Sequence, residues 1–570
     1  MRIINFSKAN CKNCYKCLRT CPVKAIRFDA HQAEIDEQRC IACGQCFVVC
    51  PQNARYIKSD LAFVQHALKE GKKVIVSLAP SFAGFFEEPN EFIQALKSLG
   101  FYSIEETAIG AQAITSAYAQ YIEENNPKYG ITSCCPTINF YIEKYYPSLI
   151  PYLLPFVSPM KAHGKFIKKE LEDALTVFMG PCISKKHESM MDRTCDIDAV
   201  LTLEEVTHWL ETSNITSSSS IRTPDKAHPN TNGREYPITG GIAKGLEPLL
   251  IENEYDILSI TGLDSSKKIF EALKNKTLNK CFVEISACNE SCLGGPAVPK
   301  NSPSIYKRKQ NIKQFITGSK EIESNNALTP FETRALSYNF TNQSLPTNPI
   351  SEEQLQSILK QLGKHQLSDE LNCGACGYDT CRDKAIAVYE KMSQPDMCIP
   401  YMRSKAESMS DVIFLSSPNA IFIIDEQLKI INANPAAKSI FNLKEESYYS
   451  NYIYNFIDVI NWETIYKSKE EIINKKVQLN PYDLDVILNV LYLPKENILL
   501  AILTNITQEE QRKKELAQMK ENTLDITQKV IDKQMRVAQE IASLLGETTA
   551  ETKVALNKLK KVVSGEEGDF

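Results

Sequence analysis

Apolar residues fall along this chain in two rhythms. Between residues 60 and 300, short apolar runs of strand length, VIVSLAP at 74–80 and ALTVFMGP at 174–181, alternate with helical stretches, which predicts α/β organisation. At Ser351 a helix is predicted to start: Ser351 and Gln354 form a capping-box pattern, and Leu355, Ile358, Leu359 and Leu362 then share one face. From about residue 410 the pattern turns to strands, AIFIID and LKIINAN, then a short helix, then LDVILNVLYL and NILLAIL; together these predict an α+β module. The end, from about 508, is charged and helix-prone, with Gly546 as its main interruption. The Ser-rich segment ITSSSSIRTPDKAHPNTNG reads as a loop or insertion, and the polar residues 301–350 as an irregular connection.

At 570 residues the chain is too long for one core, and three to five domains are expected. Its net charge of −5 offers no basic excess for phosphate binding, so no nucleic-acid partner is expected. MRIINFSKAN lacks the charged and apolar regions of a signal peptide, and no run of about 18 apolar residues predicts a membrane span. The expectation is a cytoplasmic protein. Nineteen cysteines then point to metal ligation or redox chemistry, because disulfides rarely persist in that compartment.

Eight of them form two equal runs in residues 1–59: Cys11, Cys14, Cys17 and Cys21 before Pro22, and Cys40, Cys43, Cys46 and Cys50 before Pro51. Three cysteines at x2 spacing wrap three corners of a cubane, and the fourth, before proline, reaches across to the other cluster. One 4Fe-4S cluster is thus expected on Cys11, Cys14, Cys17 and Cys50, and a second on Cys40, Cys43, Cys46 and Cys21. Paired zinc knuckles are the alternative, but zinc does not need this crossed, twice-repeated run. A two-cluster, ferredoxin-type domain is an electron wire, so the next domain should hold something to reduce or oxidise.

Three segments in residues 60–300 carry that chemistry: TSCCP at 132–136, GPCISKKHE at 180–188 and EISACNESCLGGP at 284–296. With SPMKAHG at 158–164 and TGGIAKG at 239–245, they resemble the signatures of the FeFe hydrogenases, in the family's order. The resemblance implies an H-cluster whose cubane is held by Cys135, Cys182, Cys288 and Cys292. Cys292 would bridge to a two-iron subcluster carrying CO, cyanide and a dithiolate, a group made by hydrogenase maturation proteins. It further implies that Lys185 hydrogen-bonds a cyanide, with Glu188 able to hold the lysine, and that Cys134 is the proton-relay thiol. A buried, inert cysteine is the other reading of Cys134, and packed core thiols are the reading of Cys195 and Cys281.

The departures from the family pattern point to slow turnover. Gly180 and Ser286 stand where methionines are usual, Ser291 where a glycine is and Ile138 where a tryptophan is. The stretch AIGAQAITSAYAQYI at 108–122 has no Asp or Glu where fast members place relay glutamates, and Leu154 occupies the expected place of a serine. A route through Lys161, His163 or the Tyr-rich segment remains open.

Cys373, Cys376, Cys381 and Cys398, with Gly374 and Gly377, resemble the small CGxCG-type 4Fe-4S domain, expected over residues 351–405; four thiolates also suit zinc. SSPNAIFIIDEQLKIINANPAAKSIF at 416–441 resembles the opening of a PAS domain, expected over 406–507, with a helical or coiled-coil tail at 508–570. No Cys follows Cys398 and no His follows His365, which disfavours a His-ligated haem or Cys-bonded flavin there and leaves the PAS ligand unknown. The PAS domain either senses or only dimerises. Val530, Met535, Val537, Ile541 and Leu545 form either a partner seam or part of a solvated helix. The fold class expected is multidomain α+β and α/β. No phosphate-binding Gly loop or kinase signature set appears, so a signal would leave through a separate kinase or phosphatase. Dihydrogen, protons and ferredoxin or another redox partner complete the expected partners of a sensory hydrogenase. A metabolic ferredoxin-linked hydrogenase and a non-catalytic electron-transfer protein are the alternatives.

Overall fold

The computed structural model describes residues 3–7, 10–29, 32–191, 196–213, 231–319, 333–346, 349–443, 451–545 and 553–558. Cys195, Gly546 and most of the Ser-rich segment lie outside the described residues. The chain divides into two compact units, Met1–Tyr401 and Met402–Phe570. Among the described residues no helix is long and apolar enough to cross a membrane.

The first unit opens with two equivalent halves. In each, a short helix (Lys16–Thr20 or Gln45–Val48) leads to a short strand, Ile26–Asp29 or Arg55–Ile57. Those strands pair antiparallel with Gln32–Ile35 and Ile4–Phe6 respectively. The α/β region that follows contains two parallel sheets. One runs in the order Ser103–Glu106, Val74–Leu78, Leu175–Gly180, Ala199–Thr202; the other runs Asp256–Thr261, Cys281–Ser286, Tyr129–Ile131. All of Val74–Leu78 is buried, Ser77 included, as a strand in a parallel sheet covered on both faces should be. The helices Ala108–Asn125 and Pro159–Glu170 cross very closely: a Cβ on Gly110 would lie 2.2 Å from the Pro159 carbonyl oxygen.

The interval 301–350 is not wholly irregular. Residues Ile305–Ser319 form a helix whose Ile312 and Ile316 are buried in the same core as Phe82 and Phe85. Its apolar positions, Ile305, Ile312 and Ile316, follow a helical interval but are outnumbered by Lys, Arg, Gln and Asn, so the segment reads as polar. Farther on, the helix Glu352–Gln361 carries the full Ser351/Gln354 capping box, with Leu355, Leu359 and Leu362 buried.

The second unit is a five-stranded antiparallel sheet in the order Ile430–Ala433, Ala420–Ile424, Ile498–Asn505, Leu484–Leu493, Ile472–Leu479. The last of these strands was not separable from its surroundings in sequence, because Lys475 and Lys476 interrupt its apolar run. A 39-residue helix, Thr507–Leu545, follows. On it Val530, Val537 and Ile541 are exposed, as are Leu516, Met519 and Ile526; the Leu545 side chain lies outside the described residues.

Asn434 ties this second sheet together. Fully buried, its Oδ1 accepts from the backbone N–H groups of Ile421 and Ala437, both at 2.9 Å, and its Nδ2 donates to the Asn419 carbonyl at 2.8 Å. Replacing it by Ala removes a helix cap and leaves buried partners unpaired, a loss of about 3 kcal/mol. A denaturant titration followed by the fluorescence of Trp462, which lies in the core of this unit, should show the N434A midpoint fall. An unchanged midpoint would show that Asn434 is not the tie.

Candidate functional site

The three cysteine-bearing segments leave the C-terminal ends of three parallel strands, where ligands bind in open α/β sheets. TSCCP follows Tyr129–Ile131, PCISKKHE follows Leu175–Gly180 and ACNESC follows Cys281–Ser286, so strands of both sheets contribute. They converge on a cavity of about 130 Å³ whose wall includes Cys134, Cys135, Cys182, Cys288, Cys292 and Lys185. A single water needs only ~10–15 Å³ on such a measure, so the space suits a multi-atom group. Local geometry aims the thiols. Cys135 is the extended residue before the helix Pro136–Tyr145. Glu290 and Ser291 both adopt left-handed backbone, which turns the chain into the short 3-10 turn Ser291–Gly294 that carries Cys292.

These thiols are costly to bury side by side. Burial, then repulsion from neighbouring thiolates, pushes Cys182 up to about 11, Cys292 up to about 12 and Cys288 well above its usual value. A thiol crowded in this way ionises only when a cation takes it as a ligand. A set of soft sulfur donors around a volume larger than one ion fits an iron–sulfur cluster. Among the described residues, no three Cys, His, Asp or Glu side chains are grouped around a single ion position.

Lys185 is buried at the cavity wall. Its Nζ donates to Glu188 Oε2 at 2.8 Å and to the Cys134 carbonyl at 3.3 Å. The neighbouring Lys186 is structural: fully buried, it bonds the Val200 carbonyl and Glu205. Cys134 is pushed up to about 12 by burial, against the pull of Tyr118 and Lys185, so it keeps its proton at neutral pH. The Tyr118 hydroxyl lies 3.4 Å from Cys134 Sγ and 3.0 Å from Ser133 Oγ, and Ser133 in turn donates to the Phe156 carbonyl. Tyr236 and Glu284 also line the cavity. The Glu284 carboxylate accepts from the backbone N–H groups of Gly240, Ile242 and Ala243 at 2.8–3.1 Å, which pins the TGGIAKG segment to the site.

The departures noted in the sequence have structural counterparts. A Cβ on Gly180 would meet the Phe178 ring at 2.9 Å, so that ring fills the place of a longer side chain. Ser286 donates to Ser291 at 3.1 Å and Ser291 lies 3.2 Å from Thr239, which makes a row of hydroxyls along the wall. Ile138 and Leu154 are core residues, both essentially inaccessible. Thr107 and Ala111 are what the start of the helix Ala108–Asn125 contributes to the wall. From Thr107 a buried chain runs to Ser77 Oγ at 2.8 Å, on to His163 Nδ1 at 2.8 Å, and then to Glu105, 3.4 Å from His163 Nε2.

The Tyr-rich segment is placed elsewhere. Tyr145 donates to the Arg39 carbonyl and Lys144 to the Cys40 carbonyl, so this stretch holds the N-terminal domain. Lys161 is buried beside the Tyr338 ring, 5.3 Å from its centre. Cys281 is a buried thiol at the start of its strand, as a core residue should be.

In the N-terminal domain Cys21 lies close enough to Cys40 and Cys43 to oppose their ionisation, after burial itself. Cys14 likewise acts on Cys17, while Cys11 and Cys50 are half-buried. Cys43 reaches the wall of the main cavity. The approach depends on Gly44, whose backbone is left-handed and where a Cβ would meet Pro296 at 2.7 Å and Ile183 at 2.8 Å. Cys373, Cys376, Cys381 and Cys398 surround a separate small cavity. Arg19 links that module to the N-terminal domain, donating to the carbonyls of Ala375 and Cys14.

Sequence reasoning missed Tyr118, Tyr236 and the part played by Glu284. For Tyr118 a signal existed: it stands two helical turns after Ala111, on the same face.

Comparison with known proteins agrees with this architecture. The profile described as iron only hydrogenase large subunit, C-terminal domain, matches residues 72–296. A 4Fe-4S dicluster domain matches 10–54, an Fe-S cluster profile 369–400 and a PAS domain 409–475. Iron hydrogenase 1 of Clostridium pasteurianum is 26% identical over 315 residues, 44% of this chain and 54% of the relative, so the chain spans about half that protein's length. The cytosolic Fe-S cluster assembly factor NAR1 of Encephalitozoon cuniculi is 25% identical over 289 residues, 45% of this chain and 78% of the relative. A solved variant of FeFe-hydrogenase HydA1 from Chlamydomonas reinhardtii is 18% identical, covering 50% of this chain and 100% of that one, with a TM-score of 0.39. Residues 72–296 are thus similar to the C-terminal domain of the iron-only hydrogenase large subunit, in a chain that also matches iron–sulfur and PAS domain profiles.

Proposed function

We propose that the chain is a sensory FeFe hydrogenase: it binds dihydrogen at an H-cluster, converts it slowly to protons and electrons, and passes its redox state to a signalling partner. The observation that carries this reading is the convergence of Cys135, Cys182, Cys288 and Cys292 with Cys134 and Lys185 on one cavity. In this reading the four thiolates would hold the cubane, and Cys292 would also help hold a two-iron subcluster carrying CO, cyanide and a dithiolate. When bound, that subcluster supplies the heterolytic chemistry of dihydrogen.

The protein's share is positioning and proton handling. Glu188 and the Cys134 carbonyl fix the Lys185 ammonium, which presents a rigid donor to an anionic ligand. The Cys134 thiol, neutral because it is buried, gives and takes the proton inside the cavity. Tyr118 is the next hydroxyl, and burial holds its phenol well above its usual range as well. From there the hydrogen bonds run to Ser133 and the Phe156 carbonyl, and among the described residues no acid side chain continues them. General acid–base relays owe their speed to groups with pKa values near the working pH, and none stands on this route.

Electrons would leave through the set on Cys40, Cys43, Cys46 and Cys21, then through that on Cys11, Cys14, Cys17 and Cys50, to ferredoxin or another redox partner. The set on Cys373, Cys376, Cys381 and Cys398, the last in sequence before the PAS domain and its helical tail, would be a branch of this route. These we assign to signalling to a separate protein such as a kinase or phosphatase, with the exposed tail residues available for a homodimer. A non-catalytic iron–sulfur protein is the second reading, favoured by the likeness to NAR1.

Infrared spectroscopy separates the two. After anaerobic co-expression with hydrogenase maturation proteins, CO and cyanide bands are expected; their absence would support the second reading. With the subcluster in place, Cys134→Ala should lower turnover by about 10²-fold or more, while the bands stay. Tyr118→Phe should lower it by about tenfold. Wild-type turnover of thousands per second would instead identify a metabolic hydrogenase. Full activity in Y118F would move the proton route to Thr107, Ser77 and His163.

A further inference from the structure

The duplicated N-terminal domain breaks its own symmetry at one buried position. In each half the fourth cysteine accepts a backbone hydrogen bond four residues on: Cys21 Sγ from Ala25 and Cys50 Sγ from Ala54, both at 3.3 Å. In each half the next residue starts a strand, Ile26 in the first and Arg55 in the second. Both are buried, at 1% and 5% exposure. A position that holds an isoleucine in one half therefore holds a guanidinium in the other.

Among the described residues, that guanidinium has no carboxylate partner. None of its three nitrogens has a hydrogen-bond partner among the described residues. Below it lies the Phe6 ring, 3.5 Å from its carbon. That ring packs in the same core as Cys17 of the first run and Cys40 and Cys46 of the second, and Ala54, the residue before Arg55, bonds Cys50 Sγ, so the guanidinium is set among sulfur from both runs. Its charge correspondingly favours the thiolates of Cys17, Cys40 and Cys46. A buried, unpaired cation is strongly unfavourable, whereas one beside an anion is not.

We propose that Arg55 is a buried counter-charge shared by the two N-terminal 4Fe-4S clusters, donating hydrogen bonds to their sulfur atoms and making both easier to reduce. A cubane on four thiolates is anionic and gains a further negative charge when it takes one electron, here from ferredoxin or dithionite. A fixed cation beside it favours the reduced form, and hydrogen bonds to sulfur act in the same direction. Because the guanidinium faces both runs, it also brings the two potentials up together, which suits a wire whose neighbouring sites must exchange electrons in both directions. The inference rests on the two-cluster reading of residues 10–54 and not on dihydrogen conversion.

The test uses the full-length protein in an EPR-monitored titration with dithionite, comparing wild type with Arg55→Ile, the residue of the other half, and with Arg55→Gln and Arg55→Lys. The two neutral variants should each shift the reduction equilibrium of both N-terminal clusters at least tenfold towards the oxidised form, a fall of 59 mV for one electron. The lysine variant should retain most of the wild-type potential, and the cluster at 373–398 should move by less than half as much. Unshifted potentials in either neutral variant with both cubanes present would overturn the inference, and so would an equal fall in R55K, which would mark a packing effect. A wild-type protein without two cubanes in this domain would overturn the two-cluster reading along with it.

Discussion

Thiols buried against one another are the constraint around which the first unit is organised. Removed from water and surrounded by their own kind, Cys43, Cys46, Cys288 and Cys292 all resist ionisation, yet metal ligation requires the thiolate. The protein answers with buried cations placed among the sulfurs. Lys185 stands at the main cavity, Arg55 beside the N-terminal pair, and Lys384 beside the fourth set. Lys384 is 2% exposed and burial lowers it to about 8, against the opposing pull of Cys376 and Cys398. It holds its place by bonding Ser393 and the Gln394 carbonyl. Each sulfur set thus carries a positive charge that an apolar core would have no use for, and each of these side chains would be destabilising without the anion it faces.

The same constraint explains why the cysteines sit at strand ends. A thiol inside a strand is fixed by the sheet and can face only one way, whereas the loop at a strand's C-terminal end can turn towards a shared point. Residues 132–136, 181–188 and 287–292 all use that freedom, and the left-handed pair Glu290 and Ser291 uses it most sharply. Gly44 then lets the N-terminal domain approach within contact of Pro296 and Ile183, so that Cys43 joins the wall of the main cavity. A short distance between sulfur sets is therefore built from a missing side chain, not from an added one.

Part of this was legible in the sequence because the spacing within each cysteine motif is local. Cysteines at x2 and x4 spacing announce their partners within one turn of chain, and the Ser351 capping box likewise spans only four residues. What was not legible depends on contacts between distant residues. Tyr118 meets Cys134 because a helix folds back on the loop that follows the next strand, and Glu284 meets residues 240–243 across a gap of more than 40 residues. The helix Ile305–Ser319 was hidden for another reason: only one thin stripe of it is apolar, enough to bury Ile312 and Ile316 but not enough to outweigh its lysines in a window of composition. Arg55 was visible as a residue, but its oddity appears only when the two halves are aligned strand to strand.

The surroundings of the main cavity argue for chemistry that is held back. Fast proton transfer needs groups that change protonation near neutral pH, and burial drives Cys134 and Tyr118 far from it. Glu284, the carboxylate at the wall, is occupied by three backbone N–H donors, so moving a proton onto it would break bonds that hold the TGGIAKG segment. The row Ser286, Ser291 and Thr239 offers hydroxyls, which can orient a proton but not store one. In the sensory reading proposed above, strong ligands, a fixed lysine and these poor proton acceptors let substrate stay bound longer than it is turned over, which is the property a detector needs.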